Sequence, residues 1–309
     1  MIVVDKLTKQ YGDVPVLQGV SFEVPANGLV GFLGVNGAGK TTTMRILTTA
    51  LQPTSGRVHI CGVDVIANPQ DIRSDIGYLP EQPPLYPQLT IGQYLEFVGG
   101  LRQVSNLHQR IGTVLEQVGL LGKEDLHISK LSKGYRQRLG LAQALVHDPK
   151  VIILDEPASG LDPSQLVEIR SVLKGLAEDR TVLLSTHLLG EAEKLCDYNI
   201  ILHNGLVGAH GCLADLASQF GGTFLEISVA SQDWSADSLL EISQLSFVER
   251  VEERQNIEKG WCVLQVKLPV ASQEDLRAWF AQQEIAILGY QWKQPSLEDI
   301  FLHIVGVER

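Results

Sequence analysis

Residues 34–42 read GVNGAGKTT. Gly34, Gly39, Lys40 and Thr41 fit the phosphate-binding pattern G-x-x-x-x-G-K-[ST]. Each residue type has a physical task. The glycines, Gly37 among them, let the backbone curl so that successive N–H groups face phosphate oxygens. Lys40 places a point charge against the β- and γ-phosphates, and Thr41 offers its hydroxyl to a magnesium ion. Asn36, Ala38 and Thr42 complete the stretch expected to line the nucleotide. The flanks fit this reading. Gly28–Leu33 (GLVGFL) has the continuous apolar character of a buried strand. The following TMRILTTAL, 43–51, predicts a helix, which would set the phosphates at a helix N-terminus.

The same alternation of apolar strands and helical stretches runs through residues 1–220. Val151–Leu154 (VIIL) and Val182–Ser185 (VLLS) are short apolar runs, the mark of strands buried on both faces of a mostly parallel sheet. Between about 82 and 150 the strand pattern stops. LTIGQYLEFVGGLRQV and HQRIGTVLEQVGLL have helical spacing, and QPPLYP (82–87) leads into them. This predicts a helical subdomain inserted between two halves of a nucleotide fold. After FGGT, read as a linker, the order of apolar segments becomes βαββαβ over 221–309, a split βαβ sheet domain. FVERVEER and WCVLQVKL are its middle strands, around a turn at Asn256–Gly260. Its last helix opens on a capping box, Ser296 with Asp299, and carries Leu297, Ile300, Phe301 and Ile304 on one face. That face is expected to dock on its own domain.

Length and charge narrow the classes. A chain of 309 residues holds one large and one small domain without needing staples. Its formal charge is −11, with both the first 220 residues and the remainder acidic. Nucleic acid is therefore not expected as a partner. Cys61, Cys196, Cys212 and Cys262 are too scattered for a metal or redox motif, which suits free thiols in a reducing compartment. The start, MIVVDKLTKQYGD, does not read as a secretory signal. No apolar run approaches about eighteen residues, so any membrane role is expected to come through a partner.

A second motif supplies reactive carboxylates. VIILDEP ends its strand with Asp155 and Glu156. The first can hold magnesium, directly or through water, and the second can polarise an attacking water. A third motif points to a family. LSKGYRQR (131–138), followed by LGLAQALVHDP, resembles the signature helix of ATP-binding cassette (ABC) proteins. Leu131, Ser132 and Gly134 match the family's L-S-G-G-Q, while Lys133 and Tyr135 depart from it. ASGLD (158–162) resembles the loop after the magnesium strand, and Ser185-Thr186-His187 resembles the switch-histidine segment. Tyr11 resembles the aromatic that stacks on adenine. Where the family has GYLPQ, this chain reads GYLPE, so the switch position falls on Glu81 or on the next residue, Gln82. Glu81 is preferred, because a carboxylate oxygen can hold magnesium as an amide oxygen can. The forms LPEQPPLYPQLT and PSLEDIFLHIVG are similar to bacterial export ATPases of the drug-resistance and gliding-motility type.

The resemblance covers the first 220 residues and, with the segment order, gives an α/β fold: a P-loop nucleotide-binding cassette (1–220) with an inserted helical subdomain (about 82–150), followed by the small C-terminal α+β, split βαβ-like domain (221–309) read from its own segment order. It implies ATP and Mg2+ as ligands, with Thr41, Glu81 and Asp155 on the metal and Lys40, Glu156 and His187 in catalysis. Tyr11, the 34–42 loop, Ser132 and Gly134 would bind nucleotide, the last two in trans. Ser132 and Gly134 would close over ATP held by a second copy, with Asp162 at the contact between cassettes. A homodimer would then drive a separate polytopic permease docked near Glu81–Leu89, on the cytoplasmic face of the bacterial inner membrane, and would act as an exporter. Cassette proteins of ribosomes or DNA repair usually carry two cassettes, a long coiled coil or basic surfaces, which this chain lacks. A module without turnover is disfavoured by Glu156 and His187. The tail is expected to brace the dimer, ahead of a regulatory or docking role.

Overall fold

The computed structural model describes residues 2–220, 223–230, 233–256 and 261–306. Two compact units emerge, Met1–Cys212 and Leu213–Arg309. The FGGT segment and the Asn256–Gly260 turn expected from the sequence lie partly outside the described residues.

In the first unit, β1 (Ile2–Tyr11) and β2 (Val14–Val24) form a long hairpin. β3 (Gly28–Leu33) leads into α1 (Lys40–Leu47). β4 (Ser55–Ile60), β5 (Val63–Asp64), the short α2 (Pro69–Ile72) and β6 (Ile76–Leu79) follow. The helical insertion comprises α3 (Ile91–Leu101), α4 (Leu107–Gln117) and α5 (Lys133–Leu145). β7 (Val151–Asp155), α6 (Pro163–Ala177), β8 (Thr181–Thr186), α7 (Leu189–Leu195), β9 (Tyr198–His203) and β10 (Leu206–Gly211) complete it.

Two sheets result. The larger has the order β10-β9-β3-β8-β7-β6, parallel from β9 to β6 and closed by antiparallel β10. The smaller, β2-β1-β4-β5, is antiparallel throughout. The continuous apolar runs are explained by two cores. Val151, Ile153 and Leu183 face the core shared with the smaller sheet and α1. Ile152, Leu154, Val182 and Leu184 face the core shared with α3, α4, α5 and α6. A strand covered on both sides needs no polar alternation. The order of strands also places the C-terminal ends of β3, β7 and β8 side by side, where open α/β sheets gather their ligand-binding loops.

Local chemistry sets the helix starts. Thr90 and Gln93 form a reciprocal capping box at α3, and Asp162 with Gln165 does the same at α6, with Pro163 at the first helical position. One helix is shorter than its sequence pattern. TMRILTTAL predicts helix to Leu51, but α1 ends at Leu47. Thr48 turns its hydroxyl back onto the Met44 carbonyl at 2.9 Å, and Thr49 enters the left-handed region at φ 60°. Threonine bonding to its own backbone competes with helix continuation.

The second unit begins with α8 (Leu213–Gln219), so the division falls at Cys212 and not near 220. β11 (Phe224–Ala230), α9 (Ala236–Ser243), β12 (Arg250–Asn256), β13 (Trp261–Lys267), α10 (Gln273–Gln282), β14 (Ile287–Lys293) and α11 (Leu297–Val305) follow. Their sheet, β12-β13-β11-β14, is antiparallel and has split βαβ topology. Leu225, Ile227 and Val229 alternate inward onto Leu264, Leu276 and Phe280. Ser296 and Asp299 form the capping box of α11, whose Leu297, Ile300 and Phe301 are buried and which meets α8.

Candidate functional site

The 34–42 loop joins the end of β3 to the start of α1. Its crest, Val35–Gly37, is exposed, and its base, Ala38–Lys40, is buried. Gly39 is the residue before the helix, at φ 108°, and a Cβ there would lie 2.6 Å from Leu17 Cδ2. Gly37 is also left-handed, at φ 85°, with open space around it. Only glycine holds that curl without strain. The first N–H groups of α1 have no carbonyl of their own helix to meet, so they are free to meet an anion. Thr41 and Thr42 are half-buried at this helix start.

Lys40 is 6% exposed. Its Nζ donates to the Gly34 carbonyl at 2.8 Å and the Val35 carbonyl at 3.3 Å, and stands 3.4 Å from Glu156 Oε1. Glu156 follows β7 in the left-handed region, at φ 50°. A non-glycine residue held there is under backbone strain of order 1 kcal/mol. The strain is held by neighbours. The Glu156 N–H donates to the Ser185 carbonyl and hydroxyl, both at 3.1 Å, and His187 Nδ1 lies 2.9 Å from Glu156 Oε2.

Asp155 is 1% exposed and pairs in register with Ser185 of β8. The Ser185 hydroxyl donates to Asp155 Oδ1 at 2.5 Å. Asp155 Oδ2 is buried with no hydrogen-bond partner. A buried carboxylate oxygen left open at a strand end suits a cation or its bound water. The residues present therefore fit a magnesium nucleotide: a glycine cradle, a helix N-terminus, a buried cation and an unsatisfied carboxylate. The Tyr78 phenol on neighbouring β6 is pushed up to about 12 by burial, with the Asp155 charge adding to the effect and Arg45 opposing it.

The structure thus gathers Lys40, Asp155, Glu156, Ser185 and His187 around the loop. From sequence, Ser185 is only the start of the switch-histidine segment, with no role of its own. Its part depends on the pairing of β7 with β8, which no local pattern reveals. Among the described residues, the other expected side chains make no hydrogen bond or ion pair with this group. Tyr11 ends β1, 47% exposed, with Lys9 Nζ 5.1 Å from its ring centre. Glu81 and Gln82 are both exposed on the loop after β6. The chain bends at both positions, so exposure does not single out either one as the switch residue.

Ser132 caps α5, accepting from the Tyr135 N–H at 3.3 Å. Gly134 is buried, and a Cβ on it would lie 2.7 Å from the Gln165 side chain. Lys133 Nζ rests against Gly160. Asp162 Oδ1 accepts from the Ser164 hydroxyl at 2.6 Å and the Gln165 N–H at 2.9 Å. The hydroxyl first, then the N–H, holds its carboxyl below the usual range. The signature-like turn and the 158–162 turn therefore rest on each other within one chain.

A profile of the ABC transporter family matches residues 17–159. An uncharacterized ABC transporter ATP-binding protein of Bacillus subtilis, YxlF, is 34% identical over 99% of both chains. The chain belongs to the ABC transporter ATP-binding proteins. It is the ATP-binding, ATP-hydrolysing subunit of a transporter. The Nod factor export ATP-binding protein I of Paraburkholderia xenovorans is 35% identical over 98% of this chain and 96% of its own length. Among solved structures, a dimeric ATP-binding cassette in a post-hydrolysis state, bound to ADP and Pi, superposes with a TM-score of 0.63. It is 27% identical and covers 69% of this chain and 98% of that one. Among the described residues no helix is long and apolar enough to cross a membrane.

Proposed function

We propose that this chain powers an exporter as a homodimer, docked on a separate membrane permease at the cytoplasmic face of the bacterial inner membrane. Export is supported by the name of the Nod factor relative. Dimerisation is supported by the dimeric post-hydrolysis cassette. The observation that carries the mechanism is the strained Glu156, clasped between Lys40 and His187 at the mouth of the loop.

In this reading the loop N–H groups and Lys40 hold the β- and γ-phosphates, Asn36 to Thr42 line them, and Tyr11 stacks on adenine. Thr41, Asp155 and Glu81 would hold Mg2+, which would supply positive charge against the phosphate oxygens. Glu156 orients and deprotonates the attacking water, and His187 fixes the Glu156 carboxylate while reaching the γ-phosphate. Ser132 and Gly134 of the second copy complete the site at the N-terminus of α5. Asp162, at the start of α6, lies at the contact between copies. ATP thereby joins the two cassettes, and hydrolysis releases them. The division of labour is a cassette at about 1–212 with a second unit that braces the dimer.

Glu156→Gln tests the core of this proposal. It should lower turnover by at least about 100-fold and accumulate an ATP-dependent dimer, seen by light scattering. Unchanged turnover, or a variant that stays monomeric at saturating Mg-ATP, would sink it.

A further inference from the structure

We infer that Arg170 and Glu191 are positioning residues that hold His187 on Glu156; this rests on the catalytic roles proposed above. Arg170 lies on α6 and Glu191 on α7. They form a two-pronged ion pair: Arg170 Nε donates to Glu191 Oε2 at 2.6 Å and Nη2 to Oε1 at 2.9 Å. Both side chains are about three-quarters buried. A fork of this geometry fixes direction as well as distance, unlike a solvated surface pair.

Its place in the chain gives the fork a task. Glu156 opens a turn in which the Ser159 N–H returns to the Glu156 carbonyl. The turn ends at Asp162, the cap of α6, and Arg170 follows about 12 Å along that helix. From Glu191 the chain runs back through Leu188, whose N–H is held by the Thr186 hydroxyl at 3.0 Å, to His187. His187 then meets Glu156 at 2.9 Å. The path closes on itself, with one closure at Glu156–His187 and the other at Arg170–Glu191. Between the helices lies an apolar cavity of about 20 Å³, lined by Pro157, Leu166, Ile169, Leu173, Ala192 and Leu195. Arg170 and Glu191 also line this cavity, so the fork spans it and adds a directed link between α6 and α7 to the apolar contacts of Ile169, Leu173 and Leu195. Opening it lets the start of α7 drift, and with it the imidazole.

Steady-state ATPase assays on the full-length chain test this. Arg170→Lys keeps the charge and the stem but loses the fork, and Glu191→Gln keeps the shape but loses the charge. Each should lower kcat roughly tenfold, the usual scale for groups that orient a reacting residue. KM for ATP should change by less than about twofold, since the loop that binds the phosphates is untouched. The exchanged pair R170E/E191R should recover most of the lost kcat. In a His187→Ala background, Arg170→Lys should lower the residual rate no further, because it acts through His187. A role in stability alone would leave that last effect undiminished. Unchanged kcat in Arg170→Lys and Glu191→Gln, or effects of Arg170→Lys and His187→Ala that multiply in full, overturns the inference. Glu156→Gln run alongside separates the cases: if it too keeps full turnover, the proposed catalytic base is wrong, not only the fork.

Discussion

Replacing Lys40 with methionine removes a buried cation while keeping an unbranched stem. The structure lets the cost be worked out. The ammonium is 6% exposed and serves two carbonyls and one carboxylate oxygen. Glu156 Oε1 is buried and has no hydrogen-bond partner, so the lysine charge is what compensates it. Removing one member of a buried ion pair typically costs about 3–5 kcal/mol, because the other charge is stranded. Here His187 remains on the second oxygen, 41% exposed and open to water. That reduces the expected loss to about 2–3 kcal/mol. Glu156→Gln leaves the Lys40 ammonium without its counter-charge, but both carbonyls still accept from it and an amide oxygen stands in for the carboxylate, so the loss should be smaller, about 1–2 kcal/mol. The double variant has neither charge. It should be more stable than Lys40→Met alone by about 1–2 kcal/mol, the coupling expected of two groups in one buried ion-pair network.

Urea denaturation in nucleotide-free buffer measures this cycle. Far-UV ellipticity follows both units. The four tryptophans, Trp234, Trp261, Trp279 and Trp292, all belong to the second unit. Their emission therefore marks which part of the transition belongs to that unit and which to the cassette. This matters because two units need not unfold as one state. Should the single-variant losses add to within about 0.5 kcal/mol in the double variant, Lys40 and Glu156 do not meet in solution. The clasp around Glu156 would then have to be abandoned.

Two further outcomes follow from the packing. In Gly134→Ala the new methyl meets the Gln165 amide, which can swing away only by giving up its bond to the Asp162 N–H. The fold should survive with a loss of about 1 kcal/mol, and hydrogen exchange at Asp162 should quicken; an unchanged rate there would mean the two turns are not in contact. At high pH the Tyr78 and Tyr94 phenols, both pushed up to about 12 by burial, stay protonated in the folded chain after the unfolded chain has begun to ionise near 10. Their stabilising effect is whole below pH 10 and is lost as pH rises towards 12. Tyr94→Phe, which forgoes the 2.6 Å bond to Gln143, should be somewhat less stable at pH 7 but lose stability less steeply above pH 10; denaturation midpoints across that range check it, and parallel curves for parent and variant would count against the burial argument.

Much of this architecture was legible because its signals are local. GLVGFL announced a strand covered on both faces, and Ser296 with Asp299 announced a helix start; both depend on residues within reach of each other along the chain. The glycine loop and the Asp155-Glu156 pair were legible for the same reason. The antiparallel sheet of β1, β2, β4 and β5 was not foreseen, since register shifts interrupt β1 and its inward residues do not strictly alternate. The end of α1 was missed because apolar spacing continues past Thr48 while the backbone does not. The strain at Glu156 left no trace in composition, since φ 50° is imposed by bonds from Ser185, twenty-nine residues away.

The contacts that sequence could not supply are those that join the site's parts. Ser185 meets Asp155 across thirty residues, His187 meets Glu156 across thirty-one, and Arg170 meets Glu191 across twenty-one. Each brings together elements whose own starts were readable, yet nothing in their spacing names the partner. The motif order therefore says which groups are present, while strand register and the fork decide whether they act together. If a second copy completes the site, as proposed, this distinction has a physical consequence. The Glu156–His187 contact is made within one chain, whereas the Ser132–Gly134 turn would serve the nucleotide of the other. That turn rests on Gln165, and Gln165 is bonded to Asp162 at the head of the helix that carries Arg170. A displacement of the turn on closing against a second nucleotide would be passed down α6 to the fork, and so to the histidine of its own site.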